Sequence, residues 1–298
     1  MGITLNMIQW MHGMGVLGSS GANVLDIGSS NLYGASKEGV KKFLSDFGVQ
    51  DSKESDEFAE KMEAGSRYDP VTGGVNDAFV GELLEAVNVR YEAIDIADGY
   101  RTTILDLNHS SVPDEFEKVF DLVMNFGTTE HLLNQYNALK VMHDATKVGG
   151  YMIHQLPFIG YSNHGYFTYT PRCLFDVASY NKYEMISFGY DGPAAGHNDL
   201  YASLKDYSSY FPELSTILEA KDSTSVGKYA ADFELPDISL TIVLKKVKDR
   251  PFVGALEQST SVGYVPFSVT SAYKQGPKAV LRNMKKGILH KLRYYLRG

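Results

Sequence analysis

Cysteine is almost missing from this chain. The single residue, Cys173, excludes an intrachain disulfide and any zinc site built on cysteines, and it fits a reducing compartment. Lysine and arginine are absent before Lys37, so the charged n-region of a secretory signal is missing. No apolar run approaches the ~20 residues needed to cross a bilayer. These absences lead us to expect a cytoplasmic protein. The loop after the first predicted strand reads Gly28-x-Ser30-x-x-x-Gly34 and not G-x-G-x-x-G, which counts against a dinucleotide enzyme. The net charge of -8 makes nucleic acid an unexpected partner.

What is present is ordinary for a globular chain. With 44% hydrophobic and 21% charged residues over 298 positions, there is material for one large α/β domain or two small ones. The charge is uneven. From Pro277 to Gly298 seven basic residues (Lys278, Arg282, Lys285, Lys286, Lys291, Arg293, Arg297) meet no acid, leaving the first 276 residues at -15. Val280, Met284, Ile288 and Leu292 share one helical face there, so a basic amphipathic helix is expected. Packing against the acidic body or a second copy of the chain is the first expectation for it. Weak contact with an anionic membrane surface is the second.

Apolar periodicity predicts a helix over residues 3–17, with Trp10 and His12 placed to form a lid. Strands are expected at 24–27, 91–95, 103–106, 119–125, 151–156, 184–188 and 238–246. Helices are expected at 37–47, 76–87, 130–146 and 171–180. Gly149 and Gly150 read as a break, and Pro157 as the end of the fifth strand. Residues 51–70 and 191–236 read as insertions, the first irregular with a short helix. The second carries one helix near 204–218. Strands alternating with helices predict an α/β fold: a doubly wound, mostly parallel seven-stranded sheet of Rossmann-like type. The seventh strand follows the sixth without an obvious crossover, which predicts an antiparallel edge strand.

The densest signal is Asn23-Val24-Leu25-Asp26-Ile27-Gly28-Ser29-Ser30-Asn31-Leu32-Tyr33-Gly34. A buried strand delivers its carboxyl end into a turn of small residues, and a helix follows. Open α/β sheets bind nucleotide-like ligands at such a place. Gly28 lets the backbone approach a ligand because it has no Cβ. Asp26, Asp95 and Asp106 all fall at predicted strand ends, and parallel strands bring those ends to one edge. Asp95 suits the two hydroxyls of a ribose, since a carboxylate accepts two hydrogen bonds from a vicinal diol. Asp106 with Leu107 suits an adenine edge. Each acid taken alone is equally well read as a turn or helix cap. The loop Gly28-x-Ser30 is looser than a phosphate cradle, which favours a ligand without phosphates.

At this point the chain resembles the class I S-adenosylmethionine-dependent methyltransferases. Val24-Leu25-Asp26-Ile27-Gly28-Ser29-Ser30 is similar to the family's first motif. The run from Phe120 to His131 (Phe-Asp-Leu-Val-Met-Asn-Phe-Gly-Thr-Thr-Glu-His) is similar to its fourth-strand motif. Lys147-Val148-Gly149-Gly150-Tyr151-Met152-Ile153 resembles its fifth-strand signature, with Val148 where proline is usual. The likeness covers about residues 20–190 and resumes at the seventh strand. It implies a methyltransferase domain over 1–248 and an extension over 249–298.

The resemblance further implies S-adenosyl-L-methionine as cofactor. Asp26, Gly28 and Ser30 would border its methionine portion, Asp95 its ribose, and Asp106 and Leu107 its adenine. Asn125 and Phe126 would lie near its amino group and sulfonium. Ser30 stands where the family has a second glycine. The acceptor implied is a small molecule, a hydroxyl of a sugar or another metabolite first among them. His131 and His164 each sit where a base for such a hydroxyl belongs, against the more ordinary readings that His131 caps or packs on its helix and His164 is a loop residue. A metal-assisted mechanism would need a carboxylate cluster beside the acceptor, and Asp121 lies inside a strand, so no metal requirement is expected. Two other readings stay open: a different transfer chemistry on the same fold, such as aminopropyl transfer, and a cofactor-binding scaffold without catalysis.

Overall fold

In the computed structural model, the residues described are 2–67, 77–159, 161, 164–191, 205–206 and 238–253. The basic tail and most of the 191–236 insertion lie outside them; of the helix expected near 204–218 only Lys205–Asp206 is described, and it forms a strand.

The chain runs β1 (Gly2–Thr4), α1 (Leu5–Gly13), β2 (Asn23–Ile27), β3 (Asn31–Tyr33), α2 (Lys37–Asp46), α3 (Lys53–Gly65), α4 (Val80–Glu85). It continues through β4 (Arg90–Asp95), β5 (Thr102–Ile104), β6 (Phe120–Phe126), α5 (Gln135–Ala145), β7 (Thr146–Ile159), α6 (Pro171–Asn181), β8 (Glu184–Asp191), β9 (Lys205–Asp206) and β10 (Ile238–Lys245). The main sheet has the order β5-β4-β2-β6-β7-β10-β8-β9. Strands β5, β4, β2, β6 and β7 pair in parallel. β10 is antiparallel to both β7 and β8, and the short β9 is antiparallel to β8. The doubly wound, mostly parallel sheet read from the sequence is therefore present. Its antiparallel seventh strand, β10, sits between β7 and β8, and β9 forms the outer edge.

Period-two alternation divides two cores between the faces of the sheet. Val24, Ala93, Leu122, Met124 and Ile153 face a layer from α1 to α4, where Met7, Phe43, Met62 and Leu83 are fully buried. Leu25, Ile27, Ile94, Val123 and Met152 face α5 and α6 through Val141, Met142, Leu174 and Ala178. Central strands covered on both faces read as largely apolar runs, which is why β2 and β6 were legible despite Asp26 and Asp121.

Five expectations are corrected. The N-terminal helix is a strand plus a shorter helix: Gly2–Thr4 pairs with β3, and the Thr4 hydroxyl accepts from Met7 N (3.3 Å), starting α1 at Leu5. A Cβ on Gly2 would overlap the Tyr33 ring, so that pairing needs glycine. α1 belongs to the helical layer, with His12 stacked on Phe47 at 4.3 Å between ring centres, and is no lid. The acidic 51–70 stretch holds a full helix, α3, which buries Ser55, Ala59 and Met62 at helical spacing. β7 runs from Thr146 through Pro157, with a bulge near Gly149, whose φ is +88°. Finally, the helix expected over 130–146 is split. Thr129–His131 is a separate 3-10 turn, and α5 begins at Gln135, where Asn134 Oδ1 accepts from Asn137 N (3.1 Å).

α3 starts with a reciprocal cap. Ser52 Oγ accepts from Ser55 N (3.2 Å), and Ser55 Oγ accepts from Ser52 N (2.9 Å). A Ser52→Ala variant is expected to lose about 1 kcal/mol, a fall in Tm of about 2–4 °C. An unchanged melting curve would contradict the helix start at Lys53. No helix among the described residues is long and apolar enough to cross a membrane.

Candidate functional site

The carboxyl ends of β2, β4, β6 and β7 share one edge, and the sequence's candidate residues gather along it. At its centre β2 turns at Gly28, whose φ of +95° is a conformation that favours glycine. The turn is braced on all sides. Gly28 N donates to Ile94 O (2.7 Å) and Ser29 N to Asp95 Oδ2 (3.2 Å). Ser30 N donates to Asp26 Oδ2 (3.0 Å), and the Thr128 hydroxyl donates to Ile27 O, tying β6 to β2.

Asp26 lies wholly buried beneath this turn. Its Oδ2 also accepts from the Tyr91 hydroxyl (2.8 Å), while Oδ1 is an acceptor without a donor among the described residues. Burial pushes its carboxyl up to about 7, against the pull of the Ser30 and Tyr91 hydrogen bonds. Asp26 thus holds the loop in place and keeps one oxygen unfilled.

Asp95, half-buried at the end of β4, accepts one backbone N–H on each oxygen: Ser29 N on Oδ2 and Ala97 N on Oδ1 (3.1 Å). A carboxylate has about two acceptor directions per oxygen, so each oxygen of Asp95 has one left. Ile96 follows it, 73% exposed, an apolar side chain standing free beside the acid. Asp106 is more heavily engaged. Oδ1 accepts from Asn108 N (2.8 Å) and Asn108 Nδ2 (3.1 Å), and Oδ2 faces His109 Nδ1 at 2.9 Å. That hydrogen bond to His109, with the Asn108 donors, holds its carboxyl below the usual range. Leu107 is buried, and its carbonyl accepts from Asn137 Nδ2 (2.8 Å), which docks the loop on α5.

Asn125 and Phe126 end β6, both buried. The Asn125 side chain is fully used. Nδ2 donates to Thr129 Oγ1 (2.9 Å) and to His154 Nδ1 (3.2 Å), and Oδ1 accepts from Thr128 N and Thr129 N (3.4 Å each). Burial pushes His154 down to about 4, so it stays neutral and accepts at Nδ1. The Asn125 amide therefore builds the turn that follows β6.

That turn presents Glu130 and His131. Glu130 is 1% exposed, yet its Oε2 has no donor among the described residues, and burial pushes its carboxyl up to about 7. Its Oε1 lies 3.5 Å from His164 Nε2. The loop after β7 is held to it by Tyr166 N and Phe167 N, which donate to Glu130 O at 2.8 and 3.2 Å. Gly165 makes the approach close, since a Cβ there would stand 3.0 Å from Glu130 Cγ. The rings of His131 and His164 are 5.0 Å apart, and both residues are exposed. Burial lowers the His131 pKa, with the neighbouring His164 adding to the effect.

The two histidines read as alternative bases thus meet in one place. Glu130 was missed because it was read inside a helix; an acid beside a histidine just past an apolar strand was the available signal. Tyr91 and Ile96 were also missed, and no sequence pattern marks them. Asp121 is at the opposite end of β6, where Oδ2 accepts from Asn23 N (3.0 Å) and Oδ1 pairs with Lys147. A cleft of about 270 Å³ beside Lys41, Leu44 and Val49 shares no residue with this edge.

No protein-family model matches the sequence, and no curated protein matches it. Among solved structures, the chain is similar to phosphoethanolamine N-methyltransferase 2 of Haemonchus contortus, solved with S-adenosyl-L-methionine. Identity there is 12% and the TM-score 0.37, over 82% of this chain and 52% of that one. The chain thus spans about half the length of the Haemonchus protein. It is also similar to a SAM dependent methyltransferase of Archaeoglobus fulgidus (12% identity, TM-score 0.38, 81% of this chain, 93% of that one). A third is the 1,6-didemethyltoxoflavin-N1-methyltransferase of Burkholderia thailandensis (11% identity, TM-score 0.38, 82% and 77%). At this level of likeness none of these proteins lends its activity to this chain.

Proposed function

We propose that this protein is an S-adenosylmethionine-dependent methyltransferase acting on a small-molecule acceptor, with a hydroxyl of a sugar or similar metabolite as the group methylated. The observation that carries the reading is the state of Asp95: one acceptor direction remains on each oxygen, the pattern a vicinal diol fills. Three further features fit the same cofactor. Gly28 keeps the strand end open to close approach. Asp26 Oδ1 is a buried acceptor without a donor among the described residues, suited to an ammonium group. Ile96 offers an apolar face beside the ribose acid for a flat base.

Gly28, Ser30 and Asp26 would hold the methionine portion, Asp95 the ribose, and the Asp106–Leu107 loop the base. Asn125 and Phe126 would shape the floor near the reacting end. Bound there, the cofactor supplies a methyl group on a sulfonium, open to in-line displacement. The chain's contribution is orientation and the handling of one proton. His131, with its lowered pKa, carries a free lone pair at neutral pH and lies beside His164, so the pair stands where an acceptor hydroxyl would be activated.

Calorimetric titration of the full chain with S-adenosylmethionine and S-adenosylhomocysteine tests this. We expect one site per chain for each. No heat from a well-folded sample would remove the reading.

A further inference from the structure

We propose that Glu130, His131 and His164 form a binding site for a divalent first-row transition-metal ion, zinc first among them. One candidate ligand atom from each lies within 4.8 Å of the others, and no other group of three such residues occurs among the described residues. Ligands held about 2.0–2.2 Å from one tetrahedral zinc ion stand about 3.3–3.6 Å apart. The two histidine rings face solvent and have room to close that gap.

The independent observation is Glu130 itself. It is a buried carboxylate with no donor on Oε2, directed at an imidazole 3.5 Å away through Oε1, and no lysine or arginine pairs with it among the described residues. A buried carboxylate needs a charge or donors close by. A cation between it and the histidines supplies both. The scaffold is also built in advance. Asn125 and Thr129 shape the turn that carries Glu130 and His131, while Tyr166 N, Phe167 N and Gly165 bring His164 to it.

Two nitrogens and one oxygen select among ions. Magnesium and calcium prefer oxygen ligands throughout, whereas two imidazoles with one carboxylate suit zinc, cobalt or iron. Three protein ligands leave a position open, the arrangement of sites that bind a reacting oxygen rather than closed structural sites. With the ion bound, both histidines would be ligands and not bases, and the open position at this edge would take and acidify an oxygen of the acceptor. That last assignment rests on the methyl-transfer reading, but the metal site does not. It runs against the expectation of no metal requirement, which looked for a carboxylate cluster beside the acceptor and weighed only Asp121.

The test uses the full chain, stripped with EDTA and returned to metal-free buffer. Zinc chloride is titrated by calorimetry at pH 7.5, and cobalt(II) by visible absorption. We expect one ion per chain in the parent protein. Glu130→Gln and His164→Ala should each weaken binding by more than about 100-fold. His164 is exposed, so its variant remains informative should the buried Glu130→Gln fail to fold. Absence of stoichiometric binding by the folded parent would overturn the site, as would equal binding in the folded variants. The same sample titrated with S-adenosylmethionine separates the two ideas. Cofactor binding without zinc binding removes only the metal site, and zinc binding without cofactor binding removes only the methyl-transfer reading.

Discussion

On the proposed methyl-transfer reading, an Asp95→Ala variant is expected to bind S-adenosylmethionine about 100-fold more weakly than the parent protein, and Asp106→Ala to change affinity less than about fivefold. The contrast follows from how each carboxylate is already engaged. Asp95 keeps one acceptor direction on each oxygen, and hydrogen bonds to a charged acceptor contribute about 1.5–3 kcal/mol each. Losing the pair of ribose contacts therefore removes about 3 kcal/mol, or about two decades of affinity. Asp106 is spent on Asn108 and His109, so it has little capacity for a ligand. Calorimetry on the two variants checks this, with melting curves to show that the Ser29 turn survives without its Asp95 brace. Equal losses in both would place the ribose elsewhere.

Replacing Asp26 by Asn stabilises the ligand-free protein at pH 8 by on the order of 3 kcal/mol, and the advantage shrinks by pH 5. Asp26 rises from an ordinary 3.8 to about 7 because burial disfavours its charge. The folded state therefore binds a proton between those values that the unfolded chain has released. Stability falls as pH rises from about 4 to about 7, and the full cost is present above pH 7. A tenfold change in acidity corresponds to about 1.36 kcal/mol, so ionising Asp26 in the fold costs at most about 4 kcal/mol. Asn keeps the acceptor that Tyr91 and Ser30 use and never ionises. Melting curves of parent and variant at pH 5 and pH 8 decide it. A variant less stable than its parent at pH 8 would mean that the Asp26 charge is already compensated in the fold. A cationic ligand at Oδ1 should also drive a proton off Asp26, giving a binding heat at pH 7 that depends on the buffer.

Much of the fold was legible because central parallel strands announce themselves. Val24–Ile27 and Phe120–Asn125 are mostly apolar, each broken by an acid (Asp26, Asp121), since both faces of β2 and β6 are covered. Boundaries were lost where a few hydrogen bonds decide them. Thr4 and Asn134 each start a helix later than periodicity alone suggests, by accepting from a backbone N–H three residues on. α3 was obscured because seven of its thirteen residues are charged, and the face it buries is only Ala59 and Met62 with Ser55.

The candidate site divides in the same way. The sequence by itself determined that Asp26, Gly28, Asp95 and Asp106 reach one edge, because parallel strands must end together and acids at those ends stand out from the apolar runs before them. It also determined that the chain carries no cysteine pair to staple or ligate with. Only the tertiary structure decided what each acid has left to offer: Asp95 open on both oxygens, Asp106 closed by its own turn, Asp26 buried beneath the loop with one oxygen unfilled. It alone brought His164 across from the β7 loop to His131 and buried Glu130 beside them. Hydrogen-bond capacity and burial depend on residues far apart in the chain, 33 positions in the case of His131 and His164, and no local pattern encodes them.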